Sequence, residues 1–183
     1  MAMPVSVPRY TVSDLDALPA DGNRYELLDG MLLVTPAPTA AHQIVVNRIL
    51  WRISAAVEPQ GYAHVVGPGA ISVPPKTQLQ PDILVYPARF APHLDWKTVT
   101  EHWLAVEVLS RSSRVYDRDF KHDAYFALGV RDVWLVDMRH MTVEVCTTAG
   151  RGRTVGDVLR WTVPEVYISV EIKLVEVFAG LGR

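Results

Sequence analysis

The sequence predicts an α+β fold, in which a mixed central β-sheet is flanked by helices and preceded by a β-hairpin. Two stretches carry the helical signal: apolar residues recur at helical spacing over 39–58, and a second stretch ends at Gly129. Several short apolar runs lie between and after them and predict strands. Long strand–helix alternation is absent, which argues against a doubly wound parallel sheet. Because no linker, repeat or low-complexity tract divides the 183 residues, we expect a single domain over 1–183.

The N-terminal part predicts a short helix and then the hairpin. Ser13 is the expected N-cap of the helix, since a serine hydroxyl can accept a hydrogen bond from the first helical turn. The apolar runs at 25–28 and 31–34 are joined by Asp29 and Gly30. An Asp-Gly pair between two such runs favours a tight hairpin turn.

The rest of the chain predicts one long helix, a second helix and a series of strands. The long helix is expected over 39–58, where Pro59 and Gly61 end it. The second helix is expected from the serines at 110–113 to Leu128, with Gly129 just past its end. The expected strands are 62–66, 70–73, 82–86, 102–109, 133–137, 142–147, 154–161, 167–172 and 174–178.

Composition excludes several classes of protein. Apolar residues make up 49% and charged residues 21%, which is typical of a folded globular protein. Apolar runs are far shorter than the ~20 residues of a membrane helix, and the first residues lack the pattern of a signal peptide. Cys146 is the single cysteine, so neither a disulfide framework nor a thiolate metal cluster is expected. These features together predict a cytoplasmic protein.

The overall charge bears on nucleic-acid binding. Lysine and arginine number 18 against 20 aspartate and glutamate residues, for a net charge of −2. This balance argues against a protein that is held to nucleic acid mainly by counterion release. An enzyme that touches a few phosphates in one local cleft remains compatible with it.

Two acidic residues within apolar runs are the strongest chemical signal. Asp82 opens the run Ile-Leu-Val-Tyr, and Glu107 lies within Leu-Ala-Val-Glu-Val-Leu. A buried ionised carboxylate costs several kcal/mol unless a cation compensates it. Lys121 follows in the second predicted helix. Two carboxylates on adjacent strands beside a lysine predict a site for Mg²⁺ or Mn²⁺, since these hard cations prefer oxygen ligands.

Several blocks of the sequence resemble the bacterial Uma-type family of restriction-endonuclease domains. The resemblance runs from about 25 to 145 and keeps the order and spacing of the blocks. It is carried by Glu26-Leu27-Leu28-Asp29-Gly30, His42, Pro81-Asp82-Ile83-Leu84-Val85, Glu107-Val108-Leu109-Ser110, Asp117, Lys121, Tyr125, Gly129-Val130 and Val133-Trp134-Leu135-Val136-Asp137. The family is placed in the PD-(D/E)XK nuclease superfamily, whose fold is a mixed sheet between helices. The resemblance therefore implies a restriction-endonuclease-like domain and Mg²⁺-dependent cleavage of DNA.

The resemblance also assigns roles to residues. Asp82 corresponds to the PD aspartate and Glu107 to the (D/E) position, and both would bind the metal together with the backbone carbonyl of Val108. Leu109 occupies the position of the motif's lysine. Related families move that lysine to the neighbouring helix, and Lys121 matches such a migrated position. Arg111 is a second departure, because the family usually has proline there.

Other residues are expected to support this site. Glu26 completes the expected catalytic set as an outer ligand or as a partner of a metal-bound water. Possible phosphate-binding or supporting residues are His42, Ser110, Ser113, Asp117 and Tyr125. Restriction-like enzymes often act as two-fold dimers, and exposed sheet edges also favour a homodimer.

The three residues assigned to metal and water could instead have structural roles. Asp82 could cap a turn, and Glu107 could form a structural ion pair with Lys121. Lys121 could equally pair with Asp117 on the surface, with Tyr125 in the core.

The supporting residues could also be structural. Glu26 could form a cross-strand pair with an arginine, and His42 could start its helix without a catalytic role. Ser110 and Ser113 could simply cap the second helix.

At the level of function, three hypotheses remain. The first is a Mg²⁺-dependent DNA endonuclease. The second is a catalytically weak or inactive nuclease-fold protein that acts as a binding or assembly module. The third is a metal-dependent hydrolase of another phosphoester.

Overall fold

A computed structural model describes residues 9–90, 95–109, 121–147 and 152–181. The helices are α1 (Val12–Leu15), α2 (Ala40–Val57), α3 (His122–Ala127) and α4 (Leu174–Val177), with one 3-10 turn at Trp96–Thr98. The strands are β1 (Arg24–Leu28), β2 (Met31–Thr35), β3 (Ala63–Val66), β4 (Ile71–Val73), β5 (Thr77–Leu79), β6 (Ile83–Pro87), β7 (His102–Leu109), β8 (Val130–Asp137), β9 (Thr142–Thr147), β10 (Thr154–Val155), β11 (Val158–Thr162) and β12 (Ser169–Lys173). Within these ranges, no helix combines the length and the apolar character needed to cross a bilayer.

A mixed six-stranded sheet forms the centre of the fold. Its strand order is β10-β9-β8-β7-β6-β3. Strands β7 and β8 pair in parallel, whereas the other neighbours pair antiparallel. Because a parallel pair needs a crossover connection, α3 lies between β7 and β8 in the chain. The predicted α+β fold with a mixed central sheet is confirmed.

The predicted N-terminal hairpin is also present. Strands β1 and β2 pair antiparallel, with Leu28 opposite Met31. Asp29 and Gly30 between them have φ angles of 48° and 79°, and two successive positive φ angles are the requirement of the tight turn that suits a hairpin. Strand β1 also pairs with β5, so the hairpin belongs to a four-stranded sheet of order β2-β1-β5-β4.

Several elements differ from the prediction. The expected strand 154–161 is divided into β10 and β11, which belong to different sheets, and β5 lies where no strand was predicted. The first helix begins after Thr11 and not at Ser13, because the Thr11 N–H and hydroxyl both donate to Asp14 Oδ2, over 2.6 and 2.8 Å. The segment 174–178 was predicted as a strand but forms α4. Its buried residues Leu174 and Val177 are spaced by three, which a helical turn satisfies better than a strand.

The expected long helix is confirmed as α2. Thr39 is its N-cap, and the Thr39 hydroxyl oxygen accepts a hydrogen bond from the His42 N–H over 3.3 Å. The predicted second helix is described only as α3, from His122 onward, and residues 110–120 lie outside the described ranges. Gly129 follows α3 with a φ of 83°, as expected for the residue that ends a helix.

The two faces of the central sheet pack against different elements. One face buries a cluster with α2, α4 and the β11–β12 hairpin, and Val106 and Val108 of β7 belong to it. The other face buries a second cluster with α3 and the four-stranded sheet, to which Ala105 and Leu109 contribute. Since side chains alternate along a strand, Glu107 lies on the second face, beneath α3 and the hairpin sheet.

We predict that His102, at the start of β7, makes stability depend on pH. Burial lowers the pKa of His102 from 6.5 to about 4, against the opposing effect of Glu101. Because the folded-state pKa lies below the unfolded-state value, the stabilising contribution is complete above pH 6.5 and is lost as the pH falls towards 4. Each tenfold change in proton affinity is worth ~1.4 kcal/mol, so the loss is on the order of 3 kcal/mol.

The measurement is urea unfolding of the wild type and His102→Gln from pH 7 to pH 4. We expect the free energy of unfolding to fall less steeply in His102→Gln over this interval. His140→Gln is the matched control, because the His140 side chain is 61% exposed. Parallel curves for the wild type and His102→Gln would contradict the prediction.

Candidate active site

Asp82, just before β6, lies opposite Glu107 in the second half of β7. Ile83 pairs with Val106, so the next position outward places Asp82 across from Glu107. Residues that face each other in an antiparallel pair point to the same side of the sheet. Both side chains are buried, with exposed fractions of 4% and 2%. The two predicted acids therefore occupy one face of the central sheet.

Lys121, at the start of α3, connects two of the buried acids. Its Nζ lies 2.7 Å from Glu26 Oε2 and 3.2 Å from Glu107 Oε1. The Lys121 side chain is only 4% exposed. The interpretation of Lys121 as a surface lysine is therefore wrong, and Lys121 is the cation that compensates Glu26 and Glu107.

Tyr125 lies one turn further along α3 and contacts the same acid. Its hydroxyl donates to Glu107 Oε1 over 2.5 Å. Burial, and then the negative charges of Glu107 and Glu26, raise the pKa of Tyr125 well above its ordinary value. Tyr125 is therefore protonated at neutral pH and acts as a donor to Glu107.

Asp82 accepts hydrogen bonds from three parts of the chain. Arg24 Nη2 lies 2.9 Å from Asp82 Oδ1, His42 Nε2 lies 3.1 Å from Oδ2, and the Val108 N–H donates to Oδ2 over 2.9 Å. Burial raises the pKa of Asp82, but the hydrogen bond from His42 and the charge of Arg24 outweigh burial and hold the pKa below its ordinary value. Asp82 is therefore ionised at neutral pH.

Strand β1 contacts both Asp82 and Lys121, through Arg24 and Glu26 respectively. Arg24 and Glu26 are two positions apart and so point to the same side of the strand. Glu26 Oε1 accepts from the Gln80 N–H over 2.7 Å, and Arg24 Nη1 donates to the Gln80 carbonyl over 3.0 Å. Gln80 lies two residues before Asp82, so the hairpin fixes the segment that presents Asp82.

Arg24 is the site residue that the sequence analysis missed. Burial acts to lower the pKa of Arg24, but the charges of Asp82, Glu107 and Glu26 outweigh it and raise the pKa above its ordinary value. Arg24 lies one residue before the predicted strand 25–28, and the strand in the structure begins at Arg24, which places its side chain on the same face as that of Glu26. The anticipated pair of Glu26 with an arginine across the strands is not what forms, since Glu26 pairs with Lys121.

The structure brings together most of the predicted site residues. Those that converge are Glu26, His42, Asp82, Glu107, Val108, Lys121 and Tyr125. The remaining predicted residues, Ser110, Ser113 and Asp117, lie outside the described residues.

The donor set fits a hard divalent cation. In the part of the chain that the structure describes, no three His, Cys, Asp or Glu side chains form a ready metal cluster. Asp82 and Glu107 nevertheless offer carboxylate oxygens on one face. The Val108 carbonyl faces the β6 side, since it points the same way as the Val108 N–H. One or two carboxylates with retained waters are the usual protein ligands of Mg²⁺.

Comparison with known proteins identifies the family. The family model described as "Putative restriction endonuclease", Uma2, matches residues 12–171, a range that contains the whole site. The chain belongs to the Uma2 family. A crystal structure of an Anabaena variabilis ATCC 29413 protein, described as "a putative nuclease belonging to DUF820", has a similar fold. The TM-score is 0.72 at 18% identity, over 92% of this chain and 97% of that one. No curated protein matches the sequence.

We predict that Lys121→Met destabilises this Uma2 domain by about 3–5 kcal/mol near neutral pH, because it removes the ammonium group that contacts two buried carboxylates. Urea unfolding measures the loss. Lys173→Met is the matched control, since the Lys173 side chain is 68% exposed and lies 3.8 Å from Glu176. A second variant, Lys121→Met with Glu26→Gln, should recover part of the stability. A loss no greater than that of Lys173→Met would contradict the assigned role of Lys121.

Proposed function

We propose that the protein is a metal-dependent endonuclease that hydrolyses phosphodiester bonds of DNA with Mg²⁺ or Mn²⁺. The observation that carries this proposal is the contact of Lys121 Nζ with Glu107 Oε1 at 3.2 Å, on the sheet face that also carries Asp82. The arrangement belongs to a chain of the Uma2 family, whose description names restriction endonucleases. Two acids and a lysine are the set that PD-(D/E)XK chemistry requires, with the lysine supplied by a helix.

Asp82, Glu107 and the Val108 carbonyl would hold the cation. A bound divalent cation supplies positive charge to the phosphoryl oxygens and lowers the pKa of a water molecule. Asp82 is suited to this role because its pKa is held below the ordinary value, which keeps it anionic. Its position opposite Glu107 follows from the pairing of β6 with β7.

Lys121 would orient the attacking water and stabilise the negative charge that develops on the phosphate. One preorganised donor of this kind is worth roughly 3–4 kcal/mol. Hydrolysis of a phosphodiester requires the barrier to fall by as much as ~20 kcal/mol, so Lys121 without a cation would be insufficient. Glu26 is a positioning residue in this scheme, because its carboxylate holds Lys121 Nζ at 2.7 Å. Tyr125 likewise positions Glu107.

His42 would support the site through Asp82. Its Nε2 lies 3.1 Å from Asp82 Oδ2, and its ring is buried. This contact orients Asp82 from α2, through the carboxylate oxygen that Arg24 does not contact. The net charge of −2 favours substrate contacts confined to this site over a broad basic surface.

We predict that Asp82→Asn and Glu107→Gln each lose Mn²⁺ binding and nicking of plasmid DNA. The expected fall in nicking rate is on the order of 100-fold or more, since the groups act on the transition state. Calorimetric titration with Mn²⁺ and a plasmid assay with added Mg²⁺ or Mn²⁺ measure the two effects. Circular dichroism verifies that each variant is folded.

The exposed acid Glu171, whose side chain is 57% exposed, provides the matched control Glu171→Gln. This variant should bind Mn²⁺ and nick DNA like the wild type. Lys121→Met should retain metal binding but lose nicking, if it stays folded. Unchanged Mn²⁺ affinity in both Asp82→Asn and Glu107→Gln would refute the site.

A nuclease-fold protein that binds or assembles without turnover is the second candidate. The contacts that favour it are those that already engage both oxygens of Asp82. Such a protein would bind a DNA duplex with the same affinity in the wild type and in Asp82→Asn, and neither would nick it. The plasmid assay therefore separates the two candidates.

We also propose a homodimer, with the outer strand of the hairpin as its contact. Strand β2 is at the end of the four-stranded sheet and exposes Met31 and Val34, the latter to 52%. An open strand edge with apolar side chains favours pairing with a second strand. Sedimentation at micromolar concentration should give twice the monomer mass for the wild type and the monomer mass for Val34→Lys. A monomeric wild type would contradict this proposal.

A further inference from the structure

Among the described residues, Arg24 contacts Asp82 Oδ1, which has fewer hydrogen-bond partners than Asp82 Oδ2. A carboxylate oxygen has two lone pairs. Asp82 Oδ2 already accepts from His42 Nε2 and from the Val108 N–H, at 3.1 and 2.9 Å. Asp82 Oδ1 is therefore the oxygen more open to a metal ion, and Arg24 Nη2 lies 2.9 Å from it.

The position of Arg24 allows it to leave. Its side chain is 18% exposed, whereas those of Asp82, His42, Lys121 and Glu107 are each 8% or less. Its Nη1 donates a hydrogen bond to the Gln80 carbonyl. A long side chain at the boundary of the site can rotate its guanidinium group towards solvent about its own bonds, while Glu26 still holds the Gln80 N–H.

We propose that Arg24 is a displaceable counter-ion of Asp82, which neutralises this acid in the metal-free protein and withdraws when a divalent cation binds. This inference rests on the proposed function, because it needs a cation at Asp82. Arg24 lowers the affinity for metal in two ways: its N–H group holds the ligand oxygen, and its charge repels an incoming cation. Lys121 differs in this respect, since it contacts Glu26 and Glu107.

The test is a calorimetric titration of Mn²⁺ and of Mg²⁺ into the wild type, Arg24→Gln and Arg160→Gln. Arg160 is the matched control, because it pairs with Glu171 at 2.6 Å on the distant β11–β12 hairpin, where its side chain is 58% exposed. We expect Arg24→Gln to bind Mn²⁺ about tenfold more tightly or better, since a charge-assisted hydrogen bond no longer competes. Arg160→Gln should bind like the wild type.

A second measurement covers the case in which Arg24→Gln does not fold. Arg24→Lys keeps the charge but has no guanidinium group. The arginine side-chain resonance that is missing from its ¹⁵N spectrum is therefore that of Arg24. In the wild type, the chemical shift of this resonance should change as Mg²⁺ is added. The midpoint of this change should fall at the Mg²⁺ concentration expected from the calorimetric affinity.

The outcomes separate this inference from the proposed function. Equal or weaker Mn²⁺ binding by Arg24→Gln, or a resonance that does not move as metal binds, would overturn the role of Arg24. If Asp82→Asn still abolished binding in that case, the metal site would stand. Absence of metal binding in both the wild type and Arg24→Gln would overturn both proposals.

Discussion

Compensation of three buried acids is the constraint on which the rest of this structure depends. Glu26, Asp82 and Glu107 lie within the protein, where an unpaired carboxylate would cost several kcal/mol. Lys121 forms ion pairs with Glu26 and Glu107, and Arg24 forms one with Asp82. Neither cation lies in the central sheet, because Lys121 is at the start of α3 and Arg24 is in β1 of the hairpin. The buried carboxylates of the central sheet are therefore compensated by side chains from these two elements.

The same contacts connect the hairpin sheet to the central sheet. Glu26 accepts a hydrogen bond from the Gln80 N–H, and Arg24 donates one to the Gln80 carbonyl. These two bonds hold the backbone two residues before Asp82. The same two side chains reach Lys121 and Asp82. Strand β1 thus links Asp82 and Glu107 in one network of ion pairs and hydrogen bonds. Substitutions of its members should therefore have non-additive effects on the free energy of unfolding.

The network also includes an ammonium group that a helix supplies to acids on two strands. Leu109, two residues after Glu107, packs into the cluster beneath α3, and the ammonium group beside Glu107 comes from Lys121. An ammonium group that enters from a helix needs an anchor, because the helix does not hold it in register with the acids. Glu26 is that anchor, since it contacts Lys121 Nζ at 2.7 Å and is itself held by Gln80.

The sequence alone determined the elements whose signals are local. The Asp-Gly turn and the helical period of 39–58 predicted the hairpin and the long helix that the structure has, because turn geometry and side-chain period are properties of short segments. Short-range signals were insufficient at 174–178, where packing of Leu174 and Val177 selected a helix. Only the tertiary structure decided which cation meets which acid: Arg24 and Asp82 are 58 positions apart, and Lys121 and Glu26 are 95 apart. Such pairings depend on the order and register of strands, which no local pattern encodes.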